Sequence, residues 1–229
     1  MNNPAPTVPS ALHPLAAEIL KELAGKPESR FIILGGGVAL QHYCLFRDTT
    51  DIDAWWENGA VASAEQVIHD AMSQVAARHN CNLIVRRWGE TQSYEFRQGS
   101  KKIFSFQISL RTIALEPAVT SSWPPIQLET FRDNLASKMN ALVNRGAPRD
   151  FIDIYEVCKR ELATVQFCWQ AWADKNAGLS LEEARANVLR LLEQLESRRP
   201  LAGIGDRLER ERAQTVRNWV RHELCEAAR

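Results

Sequence analysis

The run GGGVALQHYCLFRDTTDIDAWW, Gly35 to Trp56, limits what this chain can become more than any other part of it. Three glycines cut off the apolar run FIIL, and a helix-like segment then leads to two aspartates around one isoleucine. Glycine permits backbone conformations and close approaches that a Cβ forbids, so the backbone at Gly35, Gly36 and Gly37 is built to lie against something. In a strand, successive side chains alternate between faces, which puts Asp51 and Asp53 on one face and sends Ile52 into the core. Neighbouring carboxylates repel one another unless a cation lies between them, and a hard divalent ion such as Mg²⁺ takes oxygen ligands of this kind. A helix opened by glycines presents unpaired N–H groups and the positive end of its dipole, an arrangement that suits a polyphosphate. Taken singly, a glycine run is a tight turn and an Asp-x-Asp is a solvated strand face. The order strand, Gly-Gly, helix, Arg, Thr, Asp-Ile-Asp brings both ends of the helix to one site.

The rest of the chain supplies a frame for that site. At 229 residues it suits one compact domain, or an α/β domain with a helical appendage. Twenty-eight basic residues balance 28 acidic ones, so net charge commits the chain neither to nucleic acid nor to a membrane. The five cysteines are odd in number and lack paired CxxC spacing, which reads as free thiols rather than a zinc site. No leader-like or membrane-spanning run stands out, and a soluble, cytoplasmic protein is expected.

Helical spacing runs through SALHPLAAEILKELAG, with Ser10 as its cap, and through SAEQVIHDAMSQVAARHN, with Ser63 as cap and Gln66 completing a capping box. Short strands are expected at RFIIL, TDIDAWW, CNLIVRRW, TQSYEFRQ and KKIFSFQISLR, the last two joined by a turn at Gln98-Gly99. After the loop EPAVTSSWPP nearly everything carries helical periodicity, with helices near 128–145, 149–161, 165–175, 180–198 and 205–226. This divides the chain into an α/β domain, 1–125, with a mixed sheet and flanking helices, and a C-terminal α-helical domain, 126–229.

Gly36 and Gly37, followed after a helix by Asp51, Ile52 and Asp53, resemble the signature of the nucleotidyltransferases related to DNA polymerase beta. The fuller string is similar to that of the AbiEii/AbiGii-type nucleotidyltransferase toxins, in which a Gly-Gly-x-Ala-Leu helix leads to an Arg-x-Ser/Thr-x-Asp-x-Asp strand. A second block, NLASKMNALVNRGAPRDFIDIYEV, is similar to that family's later motifs: a lysine in a helix, then Arg-Asp and Asp-Ile-Tyr. The resemblance implies a Mg²⁺-dependent enzyme that moves a nucleoside monophosphate from an NTP to a hydroxyl. It also implies a toxin that acts on a tRNA 3′ end and is countered by an antitoxin. Asp51 and Asp53 would hold the metal, Gly35, Gly36, Gly37 and Arg47 would face the nucleotide, and Lys138 and Asp150 would complete the catalytic set, with the helical domain closing the cleft. An aminoglycoside-type enzyme acting on a small hydroxylated molecule, and a degenerate nucleotide-binding module, are the rival readings.

On the residues alone, Asn134, Lys138, Ala141 and Arg145 share a helical stripe beside an apolar one of Phe131, Leu135, Met139 and Leu142. Lys138 is then either a cation lining a cleft, placed to meet a triphosphate or the nucleophile, or a solvated lysine on an ordinary amphipathic helix. Asp150 is a helix-start acid, a general base or an orienter of Lys138, whereas Asp153 suits a structural bond to Arg149 or Arg145. Thr49 and Thr50 read as turn formers, His42 as a packed or surface histidine, and the seven tryptophans as core and interface anchors. One departure from the superfamily stands out: FSFQIS offers Gln107 where a third carboxylate is common, with Glu95 on the neighbouring strand as a substitute.

Overall fold

The computed structural model describes residues 4–57, 59–111 and 113–226. The first helix, α1 (Pro14–Leu23), buries Leu15, Ala16, Ile19, Leu20 and Leu23, the face that its spacing marks out. Its cap is His13 rather than Ser10. The imidazole Nδ1 accepts the Leu15 N–H at 3.3 Å, and Pro14 at the first helical position has no N–H to leave orphaned. A short 3₁₀ turn leads into β1 (Ile32–Leu34), buried on both faces.

Six residues, Gly36–Gln41, form α2, so the helix expected across GVALQHYCLF stops early. The Gln41 side chain donates to the Arg47 carbonyl at 3.0 Å, and the His42 ring bonds back to the Val38 carbonyl at 2.9 Å. These contacts fold residues 42–50 into a loop. His42 is fully buried edge-on to Trp123, and burial holds its pKa below the ordinary imidazole value.

The strands β2 (Asp51–Trp56), β3 (Asn82–Trp88), β4 (Thr91–Gln98) and β5 (Lys101–Leu110) follow, with α3 (Ala62–Arg78) between β2 and β3. Ser63 lies inside α3 rather than capping it. Val61 holds the cap position with no side-chain bond, and Gln66 donates to Asp70 at 2.8 Å. The hairpins β3–β4 and β4–β5 turn at Gly89 and Gly99, both at positive φ.

Two short strands, β6 (Val119–Thr120) and β7 (Gln127–Leu128), complete a seven-stranded mixed sheet among the described residues, ordered β3-β4-β5-β2-β1-β7-β6. β2 lies between β1, antiparallel to it, and β5, parallel to it. One face of the sheet is apolar. Ile52, Ala54, Trp56, Tyr94, Phe96, Phe104, Phe106 and Ile108 are all buried there, together with the inner faces of α1 and α3.

The strand β7 lies beyond Pro125, where the sequence reads as helical. It pairs parallel with β1 at Ile33↔Gln127 and Leu34↔Leu128, which ties residues 126–134 to the sheet. The chain accordingly divides into two compact units after Asn134, inside α4 (Phe131–Asn144), nine residues beyond the boundary drawn from composition.

In the first unit the opening of α4 is fixed by charge. Thr130 Oγ1 accepts the Asp133 N–H at 3.2 Å. The fully buried Asp133 carboxylate pairs with Arg111 at 2.9 Å and accepts the N–H groups of Leu115 and Glu116 at 2.9–3.1 Å.

The second unit, Leu135–Arg229, is helical: the rest of α4, then α5 (Pro148–Lys159), α6 (Val165–Lys175), α7 (Leu181–Arg198) and α8 (Arg207–Trp219), which ends in a π turn at Val220–Leu224. Trp169 and Trp172 meet edge to face at 6.0 Å, and Trp169 Nε1 donates to the Leu224 carbonyl at 2.7 Å. Both tryptophans are core residues, as their spacing suggests. The five cysteines are free thiols. No helix among the described residues is long and apolar enough to cross a membrane.

Replacing Asp133 with Ala should strand the Arg111 charge and three hydrogen bonds in a buried setting. The expected loss is about 3–5 kcal/mol of unfolding free energy, measured by urea denaturation.

Candidate active site

The site grows from the junction of β1, α2 and β2. Gly36 has φ +58°, a conformation costly for any residue with a side chain. A Cβ built on it would lie 2.7 Å from the Asp53 Cβ and Cγ, and closer still to Oδ2. The flanking glycines are equally crowded. A Cβ on Gly35 would strike Trp55 Nε1, and one on Gly37 would lie 2.8 Å from Thr49 Oγ1. Each of the three glycines therefore makes room for a different side chain of the Thr49–Trp55 segment, and the Gly35 N–H donates to the Asp53 carbonyl at 2.8 Å.

Asp51 and Asp53 lie half-buried on the face of β2 opposite the fully buried Ile52. Thr49, itself buried, is more than a turn former: its Oγ1 lies 2.5 Å from Asp51 Oδ1 and sets that carboxylate's orientation. Arg47 keeps to the loop and donates to the Asp48 carbonyl at 3.0 Å.

Sequence reasoning missed two further anchors. Asn134 is fully buried, and its Nδ2 donates both to the Gly36 carbonyl at 3.2 Å and to Glu129 Oε2 at 3.0 Å. The buried Glu129 carboxylate also lies 3.1 Å from where a Gly35 Cβ would be. Glu129 sits in the unremarkable string IQLETF, and no local pattern marks it.

Next to Asp53 in register stands Gln107, and next to Asp51 stands Ser105. Gln107 turns its amide toward Ser93 Oγ at 3.5 Å. Glu95 is held by Arg97 through two bonds of 3.1 Å. The row Asp53, Gln107, Ser93, Arg86 runs across four strands and ends on an exposed arginine two residues from Trp88, which is 50% exposed. The neighbouring Arg87 points to the opposite face and bonds Glu65 at 2.5 Å.

Among the described residues no group of three or more His, Cys, Asp or Glu side chains converges. The donors that do gather, two carboxylates with an amide and a hydroxyl beside them, are all oxygen-bearing, and that set fits a hard divalent cation whose remaining positions are filled by water or phosphate.

In the second unit the pairing differs from the expected one. Lys138, 9% exposed, bonds Asp153 at 2.8 Å. Asp150 takes Arg145 through two bonds of 2.7 and 2.9 Å and accepts the Ala147 N–H at 2.9 Å. The carboxylate that holds Lys138 is therefore Asp153. The reason is helical geometry: Pro148 starts α5, so Asp150 sits in its first turn, where it caps the helix, and Asp153 lies a turn further on.

Gly36→Ala should lose nucleotidyl transfer and more stability than Gly99→Ala. Both glycines have φ +58°, but a Cβ at Gly99 meets nothing within 4 Å. Thermal melts should give about 1–2 kcal/mol of backbone strain for the control, and a larger loss at Gly36.

No curated protein matches the chain. A profile of the family described as "Nucleotidyl transferase AbiEii toxin, Type IV TA system" does match it, over residues 18–218. That span runs through the glycine turn, the aspartate strand and the Lys138–Asp153 block and leaves only the ends of the chain outside, so the chain belongs to the AbiEii family of nucleotidyltransferase toxins from type IV toxin–antitoxin systems.

Proposed function

We propose that this nucleotidyltransferase uses Asp51 and Asp53 to hold Mg²⁺, and that its acceptor is the 3′ end of a tRNA. The observation that carries the reading is the packing of Gly36 against Asp53, which places a bare backbone turn directly beside an oriented carboxylate pair. A nucleoside triphosphate would lay its phosphates along Gly35, Gly36 and Gly37, with Arg47 in the loop that follows α2. A divalent cation held by Asp51 and Asp53 would neutralise phosphate charge and favour in-line attack.

The chain's own residues do the rest. Asp51 is held in one orientation by Thr49, and Asp53 is fixed by the turn it packs against. Asn134 donates to the Gly36 carbonyl and braces the turn from α4. Lys138 is the candidate cation of the second unit, held by Asp153. Asp150 acts at one remove, by anchoring Arg145 and the start of α5.

An RNA acceptor is favoured over a small cationic molecule by the exposed Arg86 and Trp88 at the end of the aspartate row, a phosphate partner and a stacking surface. A 3′ end also reaches a narrow site without the cost of opening a duplex. The family name implies an antitoxin as partner, whose chemistry the residues do not specify.

The test is incubation of the purified protein and Mg²⁺ with each labelled NTP, against total RNA and small-molecule extracts. Label should enter tRNA, and affinity should fall steeply with added salt. Asp51→Ala and Asp53→Ala should abolish transfer with circular dichroism unchanged. Thr49→Val, which removes one hydrogen bond to the carboxylate, should slow transfer about tenfold. Label found only in a small molecule would overturn the tRNA assignment, and full activity in both Asp variants would overturn the site.

A further inference from the structure

A cavity lies wholly within the helical unit, formed by α5, α7, α8 and the turn that follows α7. It encloses about 400 Å³, in the range of pockets that take small organic ligands. Its walls are mostly apolar: Phe151, Ile152, Leu192, Leu195, Ile204 and Val216 line it. Arg217 also lines it and is only 6% exposed.

Arg217 is out of place in such a wall. Its Nη2 donates to the Arg199 carbonyl at 2.7 Å, at the C-terminal end of α7, where the helix dipole offsets part of its charge. One bond uses one of the five N–H donors of a guanidinium. No carboxylate among the described residues lies within ion-pairing distance of it. Three arginines of the unit do have one: Arg145 has Asp150, Arg212, in the same wall, has Glu156, and Arg221 has Glu196. A buried cation without an anion is costly, and proteins seldom retain one unless something pairs with it.

We propose that this cavity binds a small monocarboxylic acid with an apolar body, its carboxylate forked onto Arg217 and its body against Phe151, Ile152 and Leu192. The charge count selects a monoanion. Among the described residues that line the cavity, Arg217 is the one buried cation without a carboxylate, since Arg212 is held by Glu156, and Glu209 at the rim repels further negative charge. The planar guanidinium matches a carboxylate in two parallel bonds.

The experiment titrates the full-length protein with hexanoate, octanoate and phenylacetate, each beside its primary amide, by calorimetry. At least one acid should bind at millimolar concentration or better, about tenfold or more tightly than its amide. Arg217→Gln should erase that preference. Ile152→Trp fills the cavity from a half-buried position, leaves Arg217 intact and should block all the probes, so the outcome stands even if the Arg217 variant fails to fold. If none of the acids binds, if amides bind as well as acids, or if Ile152→Trp leaves affinity unchanged, the proposal is overturned.

Discussion

The whole first unit turns on one missing atom. With no Cβ at Gly36, the Asp53 side chain can lie against the backbone of the turn, and the turn can hold φ +58° without strain. The rest is arranged around that contact. The antiparallel pairing of β1 with β2 brings the two segments side by side, Gly35 bonds the Asp53 carbonyl, and Asn134 holds the Gly36 carbonyl from the other side. Rigid placement of a carboxylate is what a transfer reaction needs, because displacement by a fraction of an ångström costs rate. The unit holds the pair with packed backbone at Asp53 and with the buried Thr49 and Asn134 side chains.

Much of this was legible in the chain because it rests on local pattern. The alternation in DIDAWW puts Ile52 and Trp56 in the core and the aspartates on the other face, as period-two reasoning requires. The helix bounds in the second unit fall close to the periodic segments, since amphipathic spacing over 11 to 18 residues is a strong signal. What was not legible depends on pairing across distance. Two-residue strands such as β7 carry no periodicity, and the division into units after Asn134 follows from β7. Glu129 and Asn134 look like ordinary polar residues until the fold sets them against a turn about 95 residues earlier. Thr49 reads as a turn former in the sequence because its partner's orientation is not encoded in spacing.

Charge pairing teaches a related lesson. Asp150 and Asp153 are equivalent in composition, and helical position alone assigns them different work. The residue in the first turn is drawn to the Ala147 N–H and to Arg145, leaving the one a turn later for Lys138. Alternation divides Arg86 from Arg87 in the same way, one beside the aspartate row and the other on Glu65. Runs of like charge in a sequence are therefore poor guides to patches in a fold unless the strand period is applied first.

The bond from Asn134 to Gly36 spans 98 positions of the chain. Contacts so far apart in sequence form late, since the loop between them must close first. During synthesis, β1, β2 and the glycine turn leave the ribosome well before Glu129 and Asn134 exist. Through that interval the carboxylate pair has its strand but not the clamp on its turn, and the parallel β1–β7 pairing is absent as well. For a toxin this ordering has value: the nascent chain carries the aspartate pair without its finished surroundings, and a truncated product ending before Asn134 is left in the same incomplete state.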